Sequence, residues 1–152
     1  MSLREAVPDG ASVLFDTNPL VYLLEDHTLA EPFVELFGDV DSGRIEGVIT
    51  PITLAEVLSG PLGAGHEALA ERYRHALTSG GFRLRALDAE VAVLAARLRI
   101  AHRLKLPDAF QLAAALSEGC AALVTHDRDF RAVTGLPILG LTPSRPPKRQ
   151  PR

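Results

Sequence analysis

Short apolar runs alternate along this chain with longer segments whose apolar residues recur at helical spacing. That alternation limits the fold more than any other feature of the sequence. Residues 12–15, 47–50, 82–86, 120–125 and 138–141 read as strands. Residues 18–26, 31–42, 52–59 and 66–78 read as helices, with Gly60, Pro61, Gly63 and Gly65 marking a break between the last two. A long helix opens at Asp88 with the stripe Val91, Leu94, Leu98 and Ala101. Another opens at Pro107 and Asp108, and a short one covers 127–133. Strand, helix, strand, helix at this spacing calls for crossover connections. The expected fold is therefore α/β: a three-layer α/β/α sandwich around a mainly parallel central sheet of four to five strands.

The 152 residues make one domain. Residues 1–11 are expected to be a loose lead-in, 12–142 the folded body, and 143–152 a disordered basic, proline-rich tail. The longest apolar run is far shorter than the ~20 residues of a membrane-spanning helix. The first residues also lack the apolar stretch of a secretion signal. A lone Cys120 has no partner for an internal disulfide, so a buried thiol in a reducing cytoplasm is the expectation.

Charge is unevenly spread. The tail holds Arg145, Lys148, Arg149 and Arg152, which leaves 12 basic residues against all 19 acids in residues 1–142, a formal charge of −7. An acidic body is a poor passive binder of nucleic acid. Its excess carboxylates suit a cation. Asp16 follows the first strand directly, Asp127 lies just beyond the strand 120–125, Glu56 sits early in the helix after the strand 47–50, and Asp108 opens a helix. In open parallel sheets ligands gather at the carboxyl ends of the strands, so one edge is placed to collect all four. Each has a plain alternative as a helix cap: Asp16 and Asp127 as N-caps, Thr53 with Glu56 and Asp108 with Gln111 at capping-box spacing. Converging carboxylates raise one another's pKa unless a hard divalent cation offsets the repulsion. Mg²⁺ and Mn²⁺ prefer oxygen ligands and support attack of water on phosphodiesters.

Four segments carry a family resemblance: Asp16-Thr17-Asn18-Pro19-Leu20, Leu54-Ala55-Glu56-Val57-Leu58, Leu106-Pro107-Asp108-Ala109 and Thr125-His126-Asp127-Arg128-Asp129-Phe130. Together, in this order, the chain resembles the PIN domain family over about residues 12–142. The small members of that family are mostly VapC-type toxins of toxin–antitoxin pairs. The resemblance implies a Mg²⁺- or Mn²⁺-dependent endoribonuclease, usually a homodimer in the cytoplasm, acting on RNA and held by a cognate antitoxin. Carried over by position, Asp16, Glu56, Asp108 and Asp127 are the acidic quartet. Asp16, Asp108 and Asp127 would hold the metal, with Glu56 direct or through water. Asp129 competes for the fourth place, and Asp127 is favoured because it lies nearer the strand end. Thr17, Asn18 and Thr125 resemble the polar residues that support the quartet.

Arg103 and Lys105 precede Asp108 and are candidates for RNA phosphates. The plain alternative is the polar face of a helix. His126 beside the acids is expected to be a solvated neighbour. No HExxH or phosphate-binding glycine loop is present. Two rival readings remain. A phosphatase with Asp16 as nucleophile wants an acid two residues on, where Asn18 stands. The other is a receiver-like or degenerate PIN module that only binds a partner: a receiver needs a paired acid and a lysine near the site, and Lys105 is the single internal lysine, while the presence of all four acids argues against degeneration.

Overall fold

A computed structural model describes residues 2–141. Five strands form one wholly parallel sheet: β1 (Ser12–Phe15), β2 (Glu46–Ile49), β3 (Phe82–Leu84), β4 (Ala122–Val124) and β5 (Ile138–Leu139), in the spatial order β3-β2-β1-β4-β5. Alternation along the central strands supplies two apolar faces. Val13 and Phe15 of β1, Ile49 of β2, and Ala122 and Val124 of β4 belong to one core. That core is covered by α1 (Thr17–Leu24), α2 (Val34–Ser42), α3 (Pro51–Gly63) and α4 (Glu67–Thr78). Leu14, Val48 and Leu123 face the other way, under α5 (Ala89–His102) and α6 (Leu106–Ser117). The result is the three-layer α/β/α sandwich expected, with β1 and β4 buried on both faces as parallel strands require.

Several boundaries depart from expectation. The helix 52–59 continues to Gly63 straight through Pro61, and the break falls at Ala64 and Gly65 instead. The short helix expected over 127–133 shrinks to a 3-10 turn, Arg128–Phe130, with Phe130 buried as its anchor. On α5 the buried positions are Val91 and Ala95, while Val93 and Ile100 are exposed at 57% and 82%.

Part of the expected loose lead-in is anchored to the body. Leu3–Ala6 form a 3-10 turn and Val7 is buried in the first core. Arg4 donates two hydrogen bonds of 2.9 Å to the Asp39 carboxylate, and Arg44 adds a third at 2.8 Å. The correction has a physical source: Asp39 is buried on α2 and needs cations, which an isolated reading of residues 1–11 does not reveal. The basic tail 143–152 lies outside the described residues. Among the described residues no helix is long and apolar enough to cross a membrane.

Candidate metal centre

From β1 the chain moves outward to β2 and β3, and on returning it enters β4 on the other side of β1. At such a reversal the connections diverge and leave a crevice beyond the carboxyl ends of the two central strands. Asp16 is the residue after β1. Thr125 is the residue after β4, with Asp127 two further on. Asp108 comes in from the third residue of α6.

Asp16 occupies the N-cap position of α1, yet its side chain does not cap the helix. It is 6% exposed and turned toward β4 and α6. Its Oδ2 accepts from Thr125 Oγ1 at 2.7 Å, and its Oδ1 accepts from Gln111 Nε2 at 3.2 Å. Gln111 is itself committed: its Oε1 accepts from Thr50 Oγ1 at 2.7 Å, and its Nε2 also donates to Thr53 Oγ1 at 2.7 Å. Thr125 has one hydroxyl proton, given to Asp16, and its oxygen accepts the Asp127 backbone N–H at 2.9 Å. Burial raises the Asp16 pKa even so, outweighing the bonds from Thr125, the Thr17 backbone and Gln111, and the Asp127 charge adds to the rise.

Asp108 is half-buried and differently placed. Its Oδ2 is buried with no hydrogen-bond partner among the described residues. Burial, then the charges of Asp16, Asp127 and Asp129, push its carboxyl up to about 7, with Lys105 opposing. Asp127 caps the 3-10 turn by accepting the Asp129 N–H at 2.8 Å, which fixes the two acids side by side. Asp108, Asp127 and Asp129 each present a carboxylate oxygen, and these oxygens lie within 4.8 Å of one another.

The sequence-expected residues are thus sorted. Asp108 and Asp127 stand together with Asp129, which lies beside Asp127 in the same group of three. Asp16 stands behind them, near enough for its charge to act on Asp108. Glu56 is exposed on α3 and accepts from Thr17 Oγ1 at 3.0 Å; it is tied to the residue next to Asp16, outside the three-acid group. Asn18 is exposed on α1, and Arg103 and Lys105 are exposed between α5 and α6. Lys105 Nζ reaches Asp129 Oδ2 at 3.5 Å. His126 is not a solvated neighbour: it is half-buried, its Nδ1 3.1 Å from the Tyr22 hydroxyl and its ring edge-on to Phe33.

Sequence reasoning missed Gln111, Thr50 and Thr53 as the backing of Asp16. Capping-box spacing was the misleading signal. The N-cap of α3 is Thr50, and Thr53 is a buried acceptor for Gln111. Gln111 lies one helical turn beyond Asp108, so both face the same crevice; that i, i+3 relation was the available clue.

The donor set fits a hard divalent cation. Three carboxylates at this spacing, one with an orphaned buried oxygen, carry repulsion that an oxygen-liganded Mg²⁺ or Mn²⁺ removes. Imidazole and thiolate, which softer metals favour, are absent from the group.

Comparison with known proteins places the chain in a family by its fold and sequence. The model of the PIN domain family matches residues 13–136. A toxin–antitoxin complex from Klebsiella pneumoniae is similar at TM-score 0.66 and 30% identity, over 82% of this chain and 94% of that one. VapBC2 from Rickettsia felis, bound to a DNA fragment from its promoter, is similar at TM-score 0.68 and 18% identity, over 84% and 96%. Mycobacterium tuberculosis VapC20, a sarcin–ricin loop cleaving toxin, is similar at TM-score 0.66 and 16% identity, over 82% and 95%. The last two show likeness of fold. No curated protein matches the chain.

Proposed function

This chain belongs to the PIN domain family, and from that premise we propose that it is a Mg²⁺- or Mn²⁺-dependent endoribonuclease, the toxin of a toxin–antitoxin pair. The observation that carries the reading is the group of three carboxylate oxygens within 4.8 Å at the carboxyl edge of the central strands, with the orphaned Asp108 oxygen among their residues. Asp108, Asp127 and Asp129 would hold the cation. A bound divalent ion there lowers the pKa of water and offsets charge on the phosphate.

The chain's own residues do the rest. Asp16, held by Gln111 and Thr125, keeps its carboxyl group in a fixed place behind the ligands. Thr125 ties the position of Asp127 to that of Asp16 through one hydroxyl. Glu56, braced by Thr17, lines the approach from α3. Water adds to phosphorus, the bond from phosphorus to the 3′ oxygen breaks, and that oxygen takes a proton. The products are a 3′-hydroxyl and a 5′-phosphate.

An antitoxin and a second copy of the chain belong to the same reading. Support for the first comes from relatives solved as toxin–antitoxin complexes. Support for the second is the exposed apolar Val93 and Ile100 on α5. The test is direct. Purified protein, freed of any antitoxin, is incubated with RNA and Mg²⁺ or Mn²⁺, and the ends are mapped. Cleavage leaving 5′-phosphates, lost in EDTA and in Asp16→Asn, is expected. No cleavage with either ion, together with an Asp16→Asn variant as harmless to cells as the parent, sinks the reading.

A further inference from the structure

A cleft of about 380 Å³ adjoins the acid cluster and is lined by His102, Arg103, Lys105, Asp129, Arg131 and Ala132. Three permanent cations and a histidine surround a single acid there, on a body whose residues 1–142 carry a formal −7. The cleft shares Asp129 with the cluster, so the basic and acidic sites meet at that carboxylate.

The backbone supplies a second observation. Arg103 is the C-cap of α5 and adopts the left-handed conformation, φ 54° and ψ 45°. Helices usually place glycine at such a turn, because a side chain there is strained. Asp26 and Arg103 are the two residues other than glycine with positive φ among the described residues. Leu104, buried at 4%, pins the turn, and Lys105 follows in extended backbone as the N-cap of α6. Two cations therefore flank a fixed anchor on a two-sided turn, one of them in a conformation its side chain disfavours. Such strain persists where the surrounding structure over-determines it, and it clusters at binding sites. Lys105 is committed weakly: it is 79% exposed and 3.5 Å from Asp129.

We propose that this cleft is a subsite for an RNA backbone phosphate neighbouring the one that is cut, with Arg103 and Lys105 as its principal ligands. The proposal rests on the ribonuclease reading and gives it a direction: the strand runs from the acid cluster across Asp129 toward the α5–α6 turn. An RNA chain approaching three clustered carboxylates is repelled. A basic cleft one side chain away supplies the attraction that brings it in. A backbone phosphate is thereby matched to cations already poised at the rim.

The experiment measures binding, apart from cleavage. A fluorescein-labelled decamer of uridine is titrated with the full chain in EDTA, followed by anisotropy at several salt concentrations. Variants are Arg103→Gly, Lys105→Ala and, as a control cation of α5 outside the cleft, Arg97→Ala. Arg103→Gly suits the left-handed turn, so its melting temperature is expected to hold or rise, and loss of binding is then separable from loss of fold. Each cleft variant is expected to weaken binding about fivefold to tenfold. Each is also expected to reduce the slope of log K against log salt by about 0.7. Arg97→Ala is expected to do neither. Cleft variants that bind like the parent, while the parent binds and cuts RNA, overturn the subsite and leave the ribonuclease reading standing. A polyglutamate peptide bound more tightly than the RNA also overturns it, in favour of a protein partner. A parent that neither binds nor cuts RNA overturns both.

Discussion

Asp39 and Asp108 are both acids drawn out of water, and the molecule treats them in opposite ways. Asp39 meets Arg4 and Arg44, three charge-assisted hydrogen bonds in all, and its pKa falls below the ordinary carboxylate value because of them. Asp108 meets Asp127 and Asp129, keeps one oxygen without a hydrogen-bond partner among the described residues, and rises to about 7. A fold able to neutralise a buried acid with arginines in one place leaves another surrounded by its own kind. Structural acids bring their counter-charge with them. On the proposed reading, the acid at the crevice is left for a charge that arrives from solution.

The contrast breaks first at Asp108. Asp108→Asn is expected to lower RNA cleavage by more than the ~10–100-fold that loss of a supporting partner costs. The same change is expected to raise the melting temperature in EDTA, since it removes repulsion. Mn²⁺ at about a hundred times its Kd adds about 2.7 kcal/mol of stability to a protein that binds it. Thermal melts with and without Mn²⁺ are expected to show that gain in the parent and its loss in the variant. An unchanged gain in Asp108→Asn would place the cation elsewhere.

Gln111→Leu comes next. It strips a donor from Asp16 and leaves Thr50 without its acceptor. Activity is expected to fall about 10–100-fold with the Mn²⁺ midpoint displaced upward, as read by initial rates across a Mn²⁺ series.

Asp39→Asn sharpens the other side. It is expected to cost about 2 kcal/mol in urea unfolding, with the Mn²⁺ midpoint unchanged.

The dependence on pH separates the two acids by its sign. Asp39 has a lowered folded pKa. Its contribution is complete above its unfolded pKa near 3.9 and is lost as pH falls through the folded value. Asp108 has a raised folded pKa, so between about pH 4 and about 7 the native state holds a proton the unfolded chain has released. Metal-free stability therefore declines across that window. Melts of the parent in EDTA are expected to weaken from pH 4 to 7, and Asp108→Asn is expected to flatten the decline.

The layered fold was legible in the sequence because β1 and β4 are short and apolar on both faces, and β1 and β2 are followed at once by helices. The three-layer arrangement follows from that order. Asp16, Asp108 and Asp127 were legible as strand-end and helix-start acids. Other features depended on contacts between distant segments. Thr50, Thr53 and Gln111 meet only after α3 and α6 fold against the same edge, so their spacing within each segment resembles ordinary capping. The packing of residues 3–7 depends on an acid on α2. The 3-10 turn after Asp127 is brief because Phe130 must enter the core, and a periodicity count over 127–133 does not see that demand.

Behind Asp16 stand hydroxyls and a carboxamide, none of which gains or loses a proton between acid and alkali. Ionic strength has no charge to screen there. Buffers that rearrange the exposed rim therefore leave this mounting as it is. Spectra or crystals of the metal-free protein, prepared where Asp16 stays ionised, should report the seat of that carboxylate faithfully.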